Sequence, residues 1–191
     1  MLKDIKQVLI LRNDLNMRRG KSEAQAAHSA MKVFFDRMTV FNNGSSMIKF
    51  TPQMIEWMHG SFKKISLGCD TEKELLHLKD LADEAEIINA LILDNGETEF
   101  KQECETCYGD GHYEVCAKCG NKKIYTVHND HGLINLFCDT CKEFIDNGVK
   151  EESCTVCKGT GKINKPTYTA LAIGPDYTSK IDAITGHLKL R

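Results

Sequence analysis

The sequence predicts an α/β fold that carries a cysteine-rich insertion, and three observations support this prediction. Apolar strand-like segments alternate with amphipathic helical segments through the first half of the chain, which implies crossover connections and a mostly parallel sheet. Eight of the nine cysteines fall in one polar stretch without such periodicity. The 191 residues are enough for one packed domain and a smaller unit.

Composition indicates an ordered globular protein, because 41% of the residues are hydrophobic and 27% are charged. No apolar run approaches the roughly 20 residues that a membrane helix needs, and none resembles a signal peptide. We therefore expect a cytoplasmic protein with no membrane contact. The net charge of -2 gives the whole molecule no long-range attraction for nucleic acid, so such binding would need a local basic patch.

The first strand is predicted at Gln7–Arg12, whose continuous apolar run is typical of a strand covered on both faces. A basic loop follows, and Ser22 with Gln25 matches a capping box that starts a helix near Glu23. A loop is predicted at Phe41–Ser46.

The remaining elements of the α/β part follow from caps, periodicity and turn residues. Thr51-Pro52 opens a short helix to about His59, Lys64–Gly68 is a strand, Thr71 and Glu74 cap a helix to about Glu86, and Ile87–Leu93 is a strand finishing on Asp94. Asn95-Gly96 predicts a hairpin with a short strand at Glu97–Phe100. Tyr168–Ile173 is a final strand that Gly174-Pro175 breaks, and Ser179–Ile184 is a last helix.

Four Cys-x-x-Cys pairs dominate the insertion. They are Cys104/Cys107, Cys116/Cys119, Cys138/Cys141 and Cys154/Cys157. Two such pairs make a tetrahedral four-sulfur zinc site. Only the first and last pairs continue as Cys-x-x-Cys-x-Gly-x-Gly, so we expect the outer pairs to share one site and the inner pairs another. A disulfide framework is disfavoured in a cytoplasmic chain, and a redox dithiol is the remaining alternative.

The insertion, residues 102–165, resembles the cysteine-rich zinc domain of DnaJ-type co-chaperones from Cys104 to Gly161. The resemblance implies two structural zinc ions, one on Cys104, Cys107, Cys154 and Cys157, the other on Cys116, Cys119, Cys138 and Cys141. The inner pairs lack the second glycine of the family motif, so peptide holding does not carry over, and the partner of the insertion, protein or RNA, stays open. Residues 1–101 and 166–191 form a complete α/β domain without it.

Two polar strand exits predict a site at the carboxyl ends of the strands. One runs from Arg12 to Lys21 and the other from Asp94 to Thr98. Lys21, Gln25 and His28 are spaced i, i+4 and i+7, so a helix places them on one face. The chain has no Gly-x-Ser-x-Gly elbow, P-loop or dinucleotide fingerprint, which gives no support to a serine hydrolase, an NTPase or a dehydrogenase.

Four motifs in order resemble the type 2, archaeal and eukaryotic, peptidyl-tRNA hydrolases: RNDLNMRRGKSEAQAAHSAM, LILDNGETEF, TALAIGP and ITGHLKL. The resemblance implies a three-layer α/β/α domain with a small mixed four-stranded sheet, a homodimer, and hydrolysis of the peptide–tRNA ester without a cofactor for the chemistry. Asn95 departs from the alanine usual in the second motif. The family's functional positions fall on Lys21, Gln25, His28, Asp94, Thr98 and Thr169.

Ester hydrolysis needs a group that orients water and donors for the developing oxyanion. We assign the water to Asp94, Thr98 and Thr169, and the oxyanion or a terminal phosphate to Lys21. Gln25 and His28 would hold the 3′ end or the carbonyl. The predicted tRNA-phosphate contacts are Arg12, Arg18 and Arg19.

Each residue also has a simpler interpretation. Gln25 closes the capping box, His28 is a satisfied core histidine, Asp94 is a turn residue, and the arginines form a solvated loop. For the whole protein, the second hypothesis is a non-catalytic tRNA- or nascent-chain-binding adaptor in which the zinc arm holds the partner.

Overall fold

The computed structural model describes residues 4–120, 122, 124–128, 134–144 and 149–191. The chain forms two compact units. The first, here called the α/β unit, comprises Met1–Asp94 and Thr167–Arg191, and the second, the cysteine unit, comprises Asn95–Pro166. The sequence placed the boundaries after residues 101 and 165.

The α/β unit begins with β1 Ile5–Arg12, α1 Arg19–Phe35, β2 Met38–Val40, β3 Ser46–Ile48, α2 Pro52–His59, β4 Lys64–Cys69, α3 Glu72–Glu84 and β5 Asn89–Asp94. The cysteine unit contains β6 Lys101–Glu103, β7 His112–Cys116, β8 Ile124–His128, β9 Ile134–Cys138, β10 Glu143–Phe144, β11 Val149–Ser153 and β12 Lys162–Asn164. The α/β unit ends with β13 Thr167–Tyr177, α4 Thr178–Thr185 and β14 Lys189–Leu190.

The main sheet of the α/β unit is mixed and has five strands in the order β14-β4-β1-β13-β5. Only β1 and β4 pair in parallel, whereas β1–β13, β13–β5 and β14–β4 are antiparallel. The strand–helix alternation therefore predicted the wrong sheet, because β13, which enters the sheet after the insertion, separates β1 from β5. The predicted strand count of four omitted the short β14.

Hydrophobic side chains of β1 alternate between two clusters, so they face opposite sides of the sheet. Val8 and Ile10 pack with side chains of α3 and α4, including Leu75 and Ile181. Leu9 packs with α1 and α2 through side chains such as Val33. The helices thus lie in pairs against the two faces of the sheet.

Helix starts follow the sequence at α2 and α3. The hydroxyl of Thr51 accepts the Met54 N–H at 3.2 Å, and that of Thr71 accepts the Glu74 N–H at 3.1 Å. Helix α1 was predicted to begin near Glu23, but it begins at Arg19 without a side-chain cap.

Two turn predictions were wrong. The Asn95-Gly96 hairpin is absent: no strand covers residues 97–100, and β6 pairs with β12 instead of β5. Gly96 lies where an added Cβ would stand 2.6 Å from the Phe100 carbonyl oxygen, so close chain packing explains the glycine. Strand β13 also continues past Gly174-Pro175 to Tyr177: its register with β1 shifts at these two residues, where Gly174 has a positive φ of 87°, and the pairing resumes at Asp176.

The cysteine unit consists of short antiparallel pairings, β6–β12, β7–β11 and β8–β9–β10. Among its described residues, the buried hydrophobic side chains are cysteines and Val115. No helix in the described part of the chain is long and apolar enough to cross a membrane.

Candidate active site and metal centres

Four of the predicted site residues meet in one hydrogen-bonded cluster in the α/β unit, here called the carboxylate cluster. Asp94 Oδ2 accepts from Lys21 Nζ and, at 2.8 Å, from Gln25 Nε2. Thr169 Oγ1 donates to Gln25 Oε1 at 2.7 Å. The cluster joins parts of the chain that are 69 to 144 residues apart.

Three elements position these side chains. Lys21 and Gln25 are one turn apart on α1, so both rise from the same face. Asp94 is the last residue of β5, as the sequence predicted. Thr169 lies at a β-bulge of β13, because Tyr168 pairs with Leu93 while Ala170 pairs with the next residue of β5, Ile92. A bulge turns one side chain away from the regular alternation, and here it directs the threonine to Gln25.

Burial divides the cluster into two parts. The side chains of Lys21 and Asp94 are 14% and 10% exposed, so solvent and a small group can reach them. Gln25 is 3% exposed and Thr169 is fully buried. The first pair can contact a substrate, whereas the second pair supports the carboxylate from behind.

This arrangement corrects two predictions. Ser22 and Gln25 form no capping box, because α1 starts before them and the amide of Gln25 bonds to Asp94 and Thr169. A buried amide with both ends engaged is not available to hold the 3′ end of tRNA. The Thr169 hydroxyl is fully buried and donates its hydrogen to Gln25, so we revise both roles to positioning.

Arg12 was predicted to contact tRNA phosphate, and its surroundings argue against that role. Its side chain is 8% exposed, and its guanidinium donates to Asp14 at 2.7 Å, to Glu72 at 2.6 Å and to the Tyr168 carbonyl at 2.9 Å. Burial disfavours its charge, but the hydrogen bond to Asp14, the largest effect, raises the arginine pKa. A guanidinium with these partners stabilises the protein itself.

Sequence reasoning missed that Arg12 helps to shape the site. Its bond to the Tyr168 carbonyl fixes the residue immediately before Thr169, at the bulge. The available signal was an arginine directly after a buried strand with an aspartate two residues later, since a buried guanidinium needs a nearby carboxylate. Glu72 and Tyr168 carry no comparable local signal.

The other predicted residues lie outside the cluster. His28 is exposed on α1, so it is not a core histidine, and it stands about 10 Å along the helix from Lys21 at 1.5 Å per residue. Thr98 belongs to the cysteine unit, where it is exposed. Arg18 and Arg19 are exposed at the start of α1, and Arg19 pairs with Glu23 at 2.8 Å.

The eight paired cysteines form two groups of four, in the outer-with-outer and inner-with-inner arrangement that the sequence predicted. Cys104 lies 3.8 Å from Cys154 and Cys107 lies 3.7 Å from Cys157, sulfur to sulfur. The inner group is Cys116, Cys119, Cys138 and Cys141, with sulfur–sulfur distances of 3.9 and 3.6 Å. Zinc–sulfur bonds of about 2.3 Å place the sulfurs of a tetrahedron about 3.8 Å apart, so either group could hold a metal ion.

The glycines of the outer motifs let two backbone turns cross closely. A Cβ on Gly161 would stand 1.9 Å from the Gly109 carbonyl oxygen, and one on Gly111 would stand 2.3 Å from the Gly159 oxygen. The crossing is reciprocal, because Cys104 N–H donates to the Gly161 oxygen at 2.9 Å and Cys154 N–H to the Gly111 oxygen at 2.8 Å. The second glycine of each motif is thus explained by packing.

Thiols in the inner group differ in acidity. Backbone N–H groups, first that of Cys119, lower the pKa of Cys116 to about 7. The contact with the Cys119 thiol raises the pKa of Cys141 to about 12. The ninth cysteine, Cys69, is buried, and burial raises its pKa to about 12, which agrees with a packing role.

Comparisons with known proteins agree with the motifs. A family model described as peptidyl-tRNA hydrolase PTH2 matches residues 5–116. A peptidyl-tRNA hydrolase of Thermococcus sibiricus is 35% identical over 126 residues, which cover 62% of this chain and 96% of that protein. One from Methanopyrus kandleri is 34% identical over 106 residues, 56% of this chain and 83% of the relative. One from Methanocaldococcus jannaschii is 24% identical over 189 residues, 97% of this chain and 99% of the relative, and that match extends across the cysteine unit.

Proposed function

Because this chain belongs to the peptidyl-tRNA hydrolase PTH2 family and is an enzyme of that class, we propose that its carboxylate cluster hydrolyses the ester between a peptide and the terminal ribose of tRNA. The observation that carries the assignment is the shared Asp94 Oδ2, which receives Lys21 and Gln25 where β5 ends. Carboxyl ends of strands are where α/β domains place their sites.

Asp94 acts on the water. Its carboxylate lies at the edge of solvent and accepts a proton from water as the water oxygen attacks the ester carbonyl carbon. The tetrahedral intermediate then collapses, and the ribose oxygen leaves with the proton that Asp94 had accepted, which restores the carboxylate. The new peptide carboxylic acid releases its own proton to solvent, so the products are a peptide carboxylate and tRNA with a free terminal hydroxyl. The role of Thr98 stays a prediction from the sequence, since Thr98 belongs to the cysteine unit.

Lys21 stabilises the charge that develops on the carbonyl oxygen. An ammonium in a site that is largely closed to water interacts more strongly with an oxyanion than it would in bulk solvent. Its side chain is only 14% exposed, and its ion pair with Asp94 holds it in place before substrate arrives. The same charge is suited to a terminal phosphate, which was the other predicted role.

Gln25 and Thr169 fix the direction of the carboxylate. Gln25 donates to Asp94 and accepts from Thr169, so the amide cannot turn over without losing one of these bonds. Arg12 extends the support to the bulge through the Tyr168 carbonyl. These three are positioning residues, because none is exposed to a substrate.

We assign the contacts with tRNA to exposed residues. Arg18 and Arg19 lie at the start of α1, the helix that carries Lys21, and suit sequence-independent contacts to phosphates. His28 lies on the face of Lys21 about two helical turns away, which suits another part of the 3′ end rather than the reacting carbonyl.

Two zinc ions complete the proposal as structural cofactors of the cysteine unit. Four thiolates at tetrahedral spacing are the donor set that zinc prefers in structural sites. With four sulfurs per ion no position is open to substrate, so the ions hold the fold and supply no step of the hydrolysis. A cytoplasmic location and a homodimer stay predictions, and sedimentation equilibrium tests the dimer.

The experiment is the release of peptide from N-acetylated aminoacyl-tRNA by the wild type, by Lys21→Gln and by Lys32→Gln. Lys32 is a matched control, since it lies on the same helix and pairs with an exposed carboxylate, Asp36, at 2.6 Å. We expect kcat to fall about 100-fold in Lys21→Gln, because one oxyanion donor is lost, and to stay within about twofold in Lys32→Gln.

Equal rates in all three proteins would refute the assignment of Lys21. A wild type that binds tRNA without releasing peptide would favour the adaptor hypothesis instead.

A further inference from the structure

An open groove of about 630 Å³ runs along β12 and the turn that carries the last cysteine pair. Its lining contains three lysines and no acidic residue. The lining residues are Lys101, Val156, Cys157, Lys158, Thr160, Lys162, Ile163 and Asn164. The groove lies entirely within the cysteine unit.

The groove lysines keep their positive charge unbalanced. Lys158 and Lys162 are exposed, and neither forms an ion pair within the described part of the chain. Lys101 contacts the Asn164 side-chain oxygen and the Glu97 backbone carbonyl, which are both neutral acceptors.

Three other lysines of the unit are paired with carboxylates, and Lys122 lies 3.1 Å from the centroid of the Tyr113 ring. Lys118 pairs with Glu143, Lys142 with Asp139 at 2.6 Å, and Lys150 with Glu152 at 3.1 Å. Three lysines that have no carboxylate partner in the described part of the chain therefore lie together beside the outer cysteine group.

The backbone under these lysines is held in place. Residues 162–164 pair with residues 101–103, and the Thr160 hydroxyl donates to the Cys157 carbonyl at 2.7 Å. Cys157 itself is one of the four outer cysteines. Charged side chains carried by such a fixed backbone lose little further backbone entropy when a ligand binds, which favours affinity for that ligand.

We propose that this groove binds the phosphodiester backbone of RNA, and that the RNA is the tRNA part of the substrate. Phosphate is contacted by lysine as a point charge and by small polar side chains, and the groove offers three lysines together with the amide of Asn164. Such contacts carry no base specificity, which suits an enzyme that acts on many tRNAs. The choice of tRNA over an acidic peptide rests on the proposed function.

The test uses full-length protein with both lysines changed, Lys158→Gln/Lys162→Gln, and uncharged tRNA as the probe at several salt concentrations. We expect tRNA affinity at 0.1 M salt to fall about tenfold and the slope of log affinity against log salt to become shallower by about 1.5, since each phosphate contact contributes about 0.7–0.9. In peptide release, KM rises while kcat stays within about twofold.

The matched control is Lys118→Gln/Lys150→Gln, which removes the same charge from the same unit but from lysines already paired with carboxylates. It should leave affinity and slope unchanged. The proposal is overturned if the groove variant binds tRNA like the control, if it loses zinc, which would mean that the lysines only balance thiolate charge, or if the lysines matter for poly-glutamate and not for tRNA. A wild type that binds tRNA but releases no peptide would refute the proposed hydrolysis while leaving this measurement valid.

Discussion

In the α/β unit the large, fully buried side chains include Trp57, Ile10 and Leu75, whereas the buried hydrophobic side chains of the cysteine unit are cysteines and Val115 among its described residues. Burial of apolar surface stabilises the α/β unit by roughly 25 cal/mol for each Å² of apolar area removed from water. The cysteine unit has no comparable core among its described residues, so we expect its stability to depend on ions held by the two cysteine groups. A reactive cluster needs the rigid surroundings of a packed core, and the carboxylate cluster lies in the unit that has one.

Metal removal is the strongest way to separate the two units. We expect about two zinc ions per chain, and chelation should unfold residues 95–166 because structural zinc contributes about 10–16 kcal/mol of binding free energy. Hydrogen exchange should then show lost protection in β7 and β11 and retained protection in β1 and β13. Metal analysis that finds no zinc, or equal loss of protection in both units, would contradict the comparison.

The complementary test destabilises the α/β unit instead, by creating a cavity in its apolar core. Leu75 is fully buried between α3 and the sheet, so Leu75→Ala should lower the free energy of unfolding of the α/β unit by about 2–5 kcal/mol. Urea denaturation measures the loss, and zinc content should not change. Leu190→Ala is the control, since Leu190 is 79% exposed and its truncation should cost less than about 0.5 kcal/mol.

Backbone crossing in the cysteine unit can be tested with a pair of glycines. Gly161→Ala puts a methyl group 1.9 Å from the Gly109 oxygen, so the outer site should be lost and about one zinc ion per chain retained. Gly120 has a similar φ of 70° but no atom within 4 Å of an added Cβ. Gly120→Ala should therefore retain about two ions, and equal zinc loss in both variants would show that backbone strain, not the crossing, matters.

Arg12 should affect both the free energy of unfolding of the α/β unit and its proposed hydrolytic activity. Arg12→Lys keeps the charge but cannot reproduce the fork that reaches Asp14, Glu72 and the Tyr168 carbonyl. We expect a loss of about 1–3 kcal/mol of stability and a fall of about tenfold in kcat with KM within about twofold, because Thr169 loses its fixed position. A rise in KM with unchanged kcat would restore the original prediction that Arg12 contacts tRNA.

The smallest effect concerns pH. The hydrogen bond from Arg12 holds the pKa of Asp14 below its ordinary value of 3.8. A carboxyl whose pKa is depressed in the folded state adds stability that is present above pH about 4 and is lost as the pH falls through the lowered pKa. Asp14 is 37% exposed, so Asp14→Asn should cost less than about 1 kcal/mol at pH 7. Its Tm should converge on that of the wild type as the pH falls through the lowered pKa of Asp14, and a difference that stays constant with falling pH would exclude this ion pair as the cause.

Sequence reasoning succeeded where the cause of a structure is local. The caps at Thr51 and Thr71 and the strand ending at Asp94 depend on neighbouring residues, and so do the four Cys-x-x-Cys turns. The outer-with-outer pairing of cysteines was also predicted, because the glycine motif distinguishes the outer pairs.

Sequence reasoning failed where a structure depends on residues that are distant in the chain. The pattern of Ser22 and Gln25 is local, but the partners that decide the role of Gln25 are 69 and 144 residues away. The bulge at Thr169 and the antiparallel entry of β13 depend on strands on either side of the insertion. Lys21 and Asp94 were predicted from the two polar strand exits and from the family resemblance, and the two side chains do form an ion pair.

The most direct test of the account is single-turnover hydrolysis of N-acetylated aminoacyl-tRNA by Asp94→Asn, with tRNA affinity and zinc content measured on the same preparation. The substitution keeps the shape of the side chain and removes the charge that accepts the proton. We predict a rate about 10³-fold lower than that of the wild type, with tRNA affinity within about threefold and two zinc ions retained. A single-turnover rate within about twofold of the wild type would show that the reaction occurs elsewhere on the protein.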